Sequence, residues 1–194
     1  MVDMDYPRHL DYPYYMTLAP NNLKEILTEL DRELAAAGER RTLVVCGGGA
    51  LLAVDVISRS TRDIDVITPE LDLVLQKIAA EVGKRHGLEP GWLNNGPASL
   101  ANDLQPGWRE RTTPIYRGRS LVVESLGRSD LLATKLFAFC DRDDQDLDDI
   151  LQMRVSWSEV AVWGDWLLER DASELWPGRV RARLTVLKQR LGHE

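Results

Sequence analysis

The chain has 194 residues, a formal charge of −7 and a pI near 5.1, so its overall field does not recruit nucleic acid. Its 44% hydrophobic and 28% charged residues are those of an ordinary globular protein, which excludes a disordered or fibrous chain and allows a buried core without staples. No stretch approaches the ~20 apolar residues of a membrane span. The first fifteen residues carry acids and prolines where a signal peptide carries a basic and then an apolar run, so the cytoplasm is the expected location. Cys46 and Cys140 sit in apolar surroundings and read as small buried hydrophobes, not as a disulfide framework.

Residues 1–20 hold four tyrosines and three prolines and form an N-terminal arm that is not a regular helix or central strand. Either the tyrosines pack on the body or on a second subunit, or the arm is a tail. Asn21 or Asn22 caps a following helix, with Glu25 in its first turn. Leu23, Ile26, Leu27, Leu30 and Leu34 give that helix one apolar face, and Gly38 ends it.

Thr42 to Cys46 reads as a buried strand. Gly47, Gly48 and Gly49 interrupt the chain, and a helix starts at Ala50. A second strand runs from Asp63 to Ile67, with Asp63 and Asp65 on one face and the apolar residues on the other. Pro69 marks the start of a helix reaching about His86. Residues 90–110 read as a long irregular loop around Trp92–Gly96. Strands follow at 113–117 and 120–125, joined by a turn at Arg117–Arg119, and then helices at about 129–140, 146–154, 156–170 and 178–191. The pattern predicts an α/β (α+β) chain: a core at 21–127 and a C-terminal helical region at 128–194.

The ordered series of strand, glycine turn, helix and Asp-x-Asp strand has a direct chemical reading. Glycines let backbone approach a phosphate without a Cβ in the way. A new helix N-terminus adds N–H donors. Two carboxylates on one strand face suit a shared divalent cation that also meets substrate phosphates.

Val45-Cys46-Gly47-Gly48 with Thr61-Arg62-Asp63-Ile64-Asp65-Val66 resembles the signature of the polymerase-β-like nucleotidyltransferases, and within them the small bacterial proteins related to the AbiEii toxins. Lys135 in Leu132–Ala138, then Arg142 and Asp146–Ile150, match the lysine helix, arginine and Asp-x-x-Asp of those families. The Trp92-Leu93-Asn94 turn also recurs in them, and the likeness spans roughly residues 24–155. It implies a mixed sheet flanked by helices, an NTP substrate with Mg²⁺ or Mn²⁺, and transfer of a nucleoside monophosphate to a hydroxyl on RNA, such as tRNA, or on protein. It also implies a toxin with an antitoxin partner. By the same likeness Gly47 and Gly48 would cradle the triphosphate, Asp63 and Asp65 would bind metal, and Lys135 and Arg142 would contact the nucleotide. Asp146 and Asp149 would organise the site or help deprotonate the acceptor. Gly48 stands where many relatives have serine. Glu124 is the candidate for a third metal-binding carboxylate, or else a surface residue.

Other readings compete. The aspartate run at 141–149 lacks the glycine and final glutamate of a calcium loop. The glycine run lacks the spacing of a dinucleotide-binding fold. Arg179, Arg181, Arg183, Lys188 and Arg190 form one basic stretch, read as a solvated helix face or an RNA contact. A non-catalytic module binding nucleotide, RNA or a partner protein is the alternative to an enzyme.

Overall fold

In the computed structural model, residues 15–142 and 144–193 are described, apart from the side chain of Asp144. The arm up to Tyr14 therefore lies outside the described residues. Its end is anchored: Met16 N–H donates to Gly87, and Leu18 exchanges backbone hydrogen bonds with Thr61 at 2.8 and 2.9 Å.

The fold is mixed α/β. Five strands, β1 (Arg41–Cys46), β2 (Ile64–Thr68), β3 (Leu93–Asn94), β4 (Thr113–Arg117) and β5 (Leu121–Ser125), form one sheet in the order β3-β2-β1-β5-β4. β1 is antiparallel to β2 and parallel to β5; β3 runs parallel to β2, and β4 antiparallel to β5. Among the described residues eight α-helices flank it: α1 (Leu23–Ala36), α2 (Gly47–Ala53), α3 (Leu73–Arg85), α4 (Arg128–Asp141), α5 (Asp144–Gln152), α6 (Trp157–Ala161), α7 (Gly164–Leu168) and α8 (Trp176–Arg190). None is long and apolar enough to cross a membrane.

The apolar stripe of α1 is buried as its spacing predicts. Asn22 stands at the cap position, but its side chain braces the incoming chain, accepting from Ala19 N–H and donating to Thr17. Gly38 closes the helix at φ +73°. Asp72, not Pro69, caps α3, accepting from the N–H groups of Val74 and Leu75. The glycine run is not a break before a helix: it is the first turn of α2.

Two departures follow from tertiary packing. The expected helix at 156–170 is two short helices, α6 and α7, separated at Val162-Trp163. The turn puts Trp163 into the core, edge-on to Trp166 at 5.4 Å. The 90–110 loop contains the edge strand β3 and two 3₁₀ turns. Trp92 is buried there and donates its indole N–H to Ala79 of α3. Two residues are too few to show a strand period in sequence.

Candidate active site

The sheet order brings chemistry to one end. The C-terminus of β1 lies beside the N-terminus of antiparallel β2, so Cys46 pairs with Asp65, which in turn pairs with Asn94 of β3. β5, parallel to β1, delivers the chain at the same end, where Ser125 pairs with Val45 before α4 begins. α4 and α5 then close over the opening. The result is a cleft of about 860 Å³ between the strand ends and these two helices.

Gly47, Gly48, Asp63, Asp65, Lys135, Arg142 and Asp146 all line this cleft. Gly47 takes φ +70°, and a Cβ there would strike the Asp65 carboxylate. A Cβ on Gly48 would stand 3.0 Å from Thr61 Oγ1. Gly47 is therefore glycine because the backbone and the Asp65 side chain crowd together, not merely because the chain turns, while a Cβ at Gly48 would ask Thr61 to give by a few tenths of an ångström. α2 is only 7 residues long, so its dipole is short and the backbone space matters more than its field.

Asp65 is partly buried, and its carboxyl is held above the ordinary carboxylate range. Burial is the larger cause and neighbouring Asp63 the next; Asn94, Lys135 and Arg142 oppose them. A buried carboxylate beside a second one is a pair that a divalent cation would relieve. Oxygen donors of this kind fit Mg²⁺ or Mn²⁺.

On the helical wall, Lys135 is 7% exposed and its Nζ lies 2.7 Å from Asp146 Oδ1 and 2.7 Å from Asp149 Oδ2. Burial lowers the Lys135 pKa, but Asp146 and Asp149 outweigh it and raise the net value. Asp149 is fully buried and carries a second partner that sequence reasoning missed. Arg59 grips both its oxygens, Nε to Oδ1 at 2.8 Å and Nη2 to Oδ2 at 2.6 Å. Burial raises the Asp149 pKa, yet the hydrogen bonds from Arg59 and Lys135 prevail and hold it below the usual value. With no exposure and both oxygens engaged, Asp149 is not placed to take a proton from an acceptor.

Glu124 is not in the cleft. It lies on β5, accepts a 3.0 Å hydrogen bond from Thr112 Oγ1 and lines another part of the sheet. Among the described residues no three His, Cys, Asp or Glu side chains gather as a metal site, so the cleft offers the Asp63–Asp65 pair without Glu124. Arg142 stands at the rim with its side chain 72% exposed. Arg59, Arg62, Lys135 and Arg142 face Asp63, Asp65 and Asp146 across the lining, with buried Asp149 behind Arg59 and Lys135, so the formal charges of the site balance in an acidic chain.

The family described as "Nucleotidyltransferase of unknown function (DUF6036)" matches residues 21–163. No curated protein matches the chain. Among solved structures, an antigenic nucleotidyltransferase-like protein from Paracoccidioides brasiliensis is similar, with 15% identity over 90% of this chain and 91% of that one and a TM-score of 0.45.

Proposed function

The chain belongs to that nucleotidyltransferase family, and on this premise we propose that its cleft binds a nucleoside triphosphate with Mg²⁺ or Mn²⁺ and transfers the nucleoside monophosphate to an acceptor hydroxyl on RNA or protein. The observation that carries this reading is the contact between glycine turn and carboxylate. The Gly47-Gly48 backbone, the Asp63–Asp65 pair and Lys135 line one cleft, and Asp65 occupies the space a Cβ on Gly47 would need.

Asp63 and Asp65 would hold the cation, which when bound neutralises triphosphate charge and polarises the phosphoryl oxygens. Lys135, charged and oriented by two aspartates, stabilises negative charge on the phosphates. In the transfer, the acceptor oxygen bonds to the α-phosphorus, the bond to the bridging α–β oxygen breaks, and pyrophosphate leaves. Asp146, at the cleft surface, is the carboxylate we assign to receive the acceptor proton.

Titration calorimetry with each of the four NTPs, with and without Mg²⁺, tests this on wild type and Asp63→Ala. Expected is binding that needs the cation and is lost in the variant. Cation-independent binding, or binding unchanged by Asp63→Ala, overturns the assignment.

The separation of Glu124 from the Asp pair favours a second reading, a module that binds nucleotide without turning it over. Tight Mg·NTP binding with no pyrophosphate released, whatever RNA or protein acceptor is offered, would select it. The matched family is not the AbiEii-like one, so a toxin neutralised by an antitoxin partner is a finer proposal that rests on the sequence resemblance alone. Growth arrest on expression of wild type but not of Asp63→Ala supports that role, and equal growth opposes it.

A further inference from the structure

We infer that Arg59 is a phosphate-contacting residue of this cleft, and that buried Asp149 is the positioning residue that aims it. The inference rests on the nucleotide reading above and extends it to two residues with separate duties.

Arg59 leaves the segment between α2 and β2 and lines the cleft with its side chain 29% exposed. Charge balance would be met by a single contact. Lys135 is shared between Asp146 and Asp149 at 2.7 Å each, so Arg59 supplies the second cation for two carboxylates, and it does so by gripping Asp149 at both oxygens. What the second grip supplies is orientation. Nε and Nη2 bind Asp149, while Nη1 donates to the Ser60 carbonyl at 3.2 Å. A guanidinium carries five N–H donors in a rigid fork, so Nη2 retains a second N–H beyond the one on Asp149.

That nitrogen is the one at the glycine turn. A Cβ on Gly48 would lie 3.5 Å from Arg59 Nη2. The fork therefore borders the space left open by the missing side chain. The turn is graded: Gly47 abuts Asp65, and Gly48 abuts Arg59 and Thr61. A triphosphate whose first phosphate faces the Asp pair brings its later phosphates to Arg59. An arginine held from behind by a buried carboxylate meets an anion with little orientational freedom left to lose.

Arg59→Gln, Arg59→Lys and Asp149→Asn are compared with wild type for Mg²⁺-dependent binding of NTP, NMP and inorganic tripolyphosphate. Circular dichroism checks that each variant folds. Expected for Arg59→Gln is a loss of about 10- to 100-fold for NTP and tripolyphosphate, the scale of a charge-assisted hydrogen bond, with NMP affinity changed by less than about 3-fold. Arg59→Lys should recover part of the loss, since it restores charge but not the fork. Asp149→Asn should lose affinity in the same phosphate-dependent way without touching ligand. If it does not fold, the two Arg59 variants carry the test. Equal losses for NTP and NMP, or none, overturn the assignment while leaving nucleotide binding intact. Absence of binding by wild type to both NTP and tripolyphosphate instead defeats the nucleotide reading, and this inference with it.

Discussion

Asp65 on the sheet and Asp149 on the helical wall titrate in opposite directions because their neighbours differ. Asp65 is raised by burial and then by Asp63. Its folded form holds a proton more tightly than the unfolded chain, so it makes stability fall as pH rises from about 4, the ordinary Asp value, through its higher folded value. For Asp149 the hydrogen bonds from Arg59 and Lys135 outweigh burial and depress the value. Its stabilisation is present above about pH 4 and lost as pH falls through the lower folded value. In the metal-free protein at pH 7, Asp65→Asn should raise stability by about 1 kcal/mol, the scale of relieving a functional site. Asp149→Asn should lower it by about 3–5 kcal/mol, since two cations lose a buried partner. Urea unfolding of both variants and wild type from about pH 2 to about pH 8 measures this, with the Asp149 loss falling below about pH 4 and the Asp65 change above it. A more stable Asp149→Asn or a less stable Asp65→Asn at pH 7 would contradict the opposed roles. The placement of Gly47, Gly48, Asp63 and Asp65 in one cleft was legible because short motifs with fixed local geometry carry these residues, whereas Lys135 and Asp146 were pointed to only by the family resemblance. Arg59 was not, since its carboxylate partner lies 90 positions away and no local period links them. Glu124 had the right residue type in the right strand, but only the packing of Thr112 against it shows where its carboxylate goes.

Elements were legible where the core enforces a period. The stripe of α1 and the apolar run of β1 are read directly from residue spacing, because one face or both faces must leave water. The stretch between β3 and β4 was not, since its order comes from side chains reaching distant elements. Arg111 shows how. It makes two 2.8 Å hydrogen bonds to the fully buried Asp130 of α4, and also donates to the carbonyls of Pro106 and Gln105. From the other side, Trp166 donates its indole N–H to the Asp103 carbonyl, and Arg170 pairs with the Asp103 side chain at 2.7 Å. The 3₁₀ turn at Ala98–Asn102, which brings Ser99 and Leu100 to the cleft, is thus held at its exit by two separate elements. Arg111→Gln should destabilise the fold by about 2–3 kcal/mol, less than a wholly buried pair because the guanidinium is 39% exposed. It should also speed amide exchange across residues 98–106 ahead of global unfolding. Hydrogen-exchange mass spectrometry checks both, and unchanged protection in that segment would show that the Asp103 contacts alone hold it.

At the scale of the whole molecule, the question is whether sheet and C-terminal helices are one folding unit. The hydrophobic core is a single cluster that runs from Leu18 to Leu187. α4 lies at its centre, touching α2, α5, α6, α7 and α8, and Leu131, Leu132, Leu136 and Phe139 on it are at most 2% exposed. Trp176 of α8 packs on Phe137 at 5.7 Å and donates its indole N–H to Leu167 of α7, tying the last helix to the cleft wall. Cutting the chain after residue 127 would bare the surface those four α4 side chains cover. At roughly 1.5–3 kcal/mol for each large apolar side chain, that is on the order of 6–12 kcal/mol. A domain of this size has about 5–15 kcal/mol of stability in all, so the loss is comparable to the whole. The full chain should therefore unfold in one cooperative transition, followed alike by tryptophan fluorescence and far-ultraviolet circular dichroism. The fragment 1–127 should show no cooperative transition, and mixing it with a 128–194 fragment should restore one in part. A fragment 1–127 that melts cooperatively alone would mean that the sheet is a self-sufficient domain. The cleft would then be an interface between two units able to move apart, with the carboxylate pair on one unit and Lys135, Asp146 and Asp149 on the other.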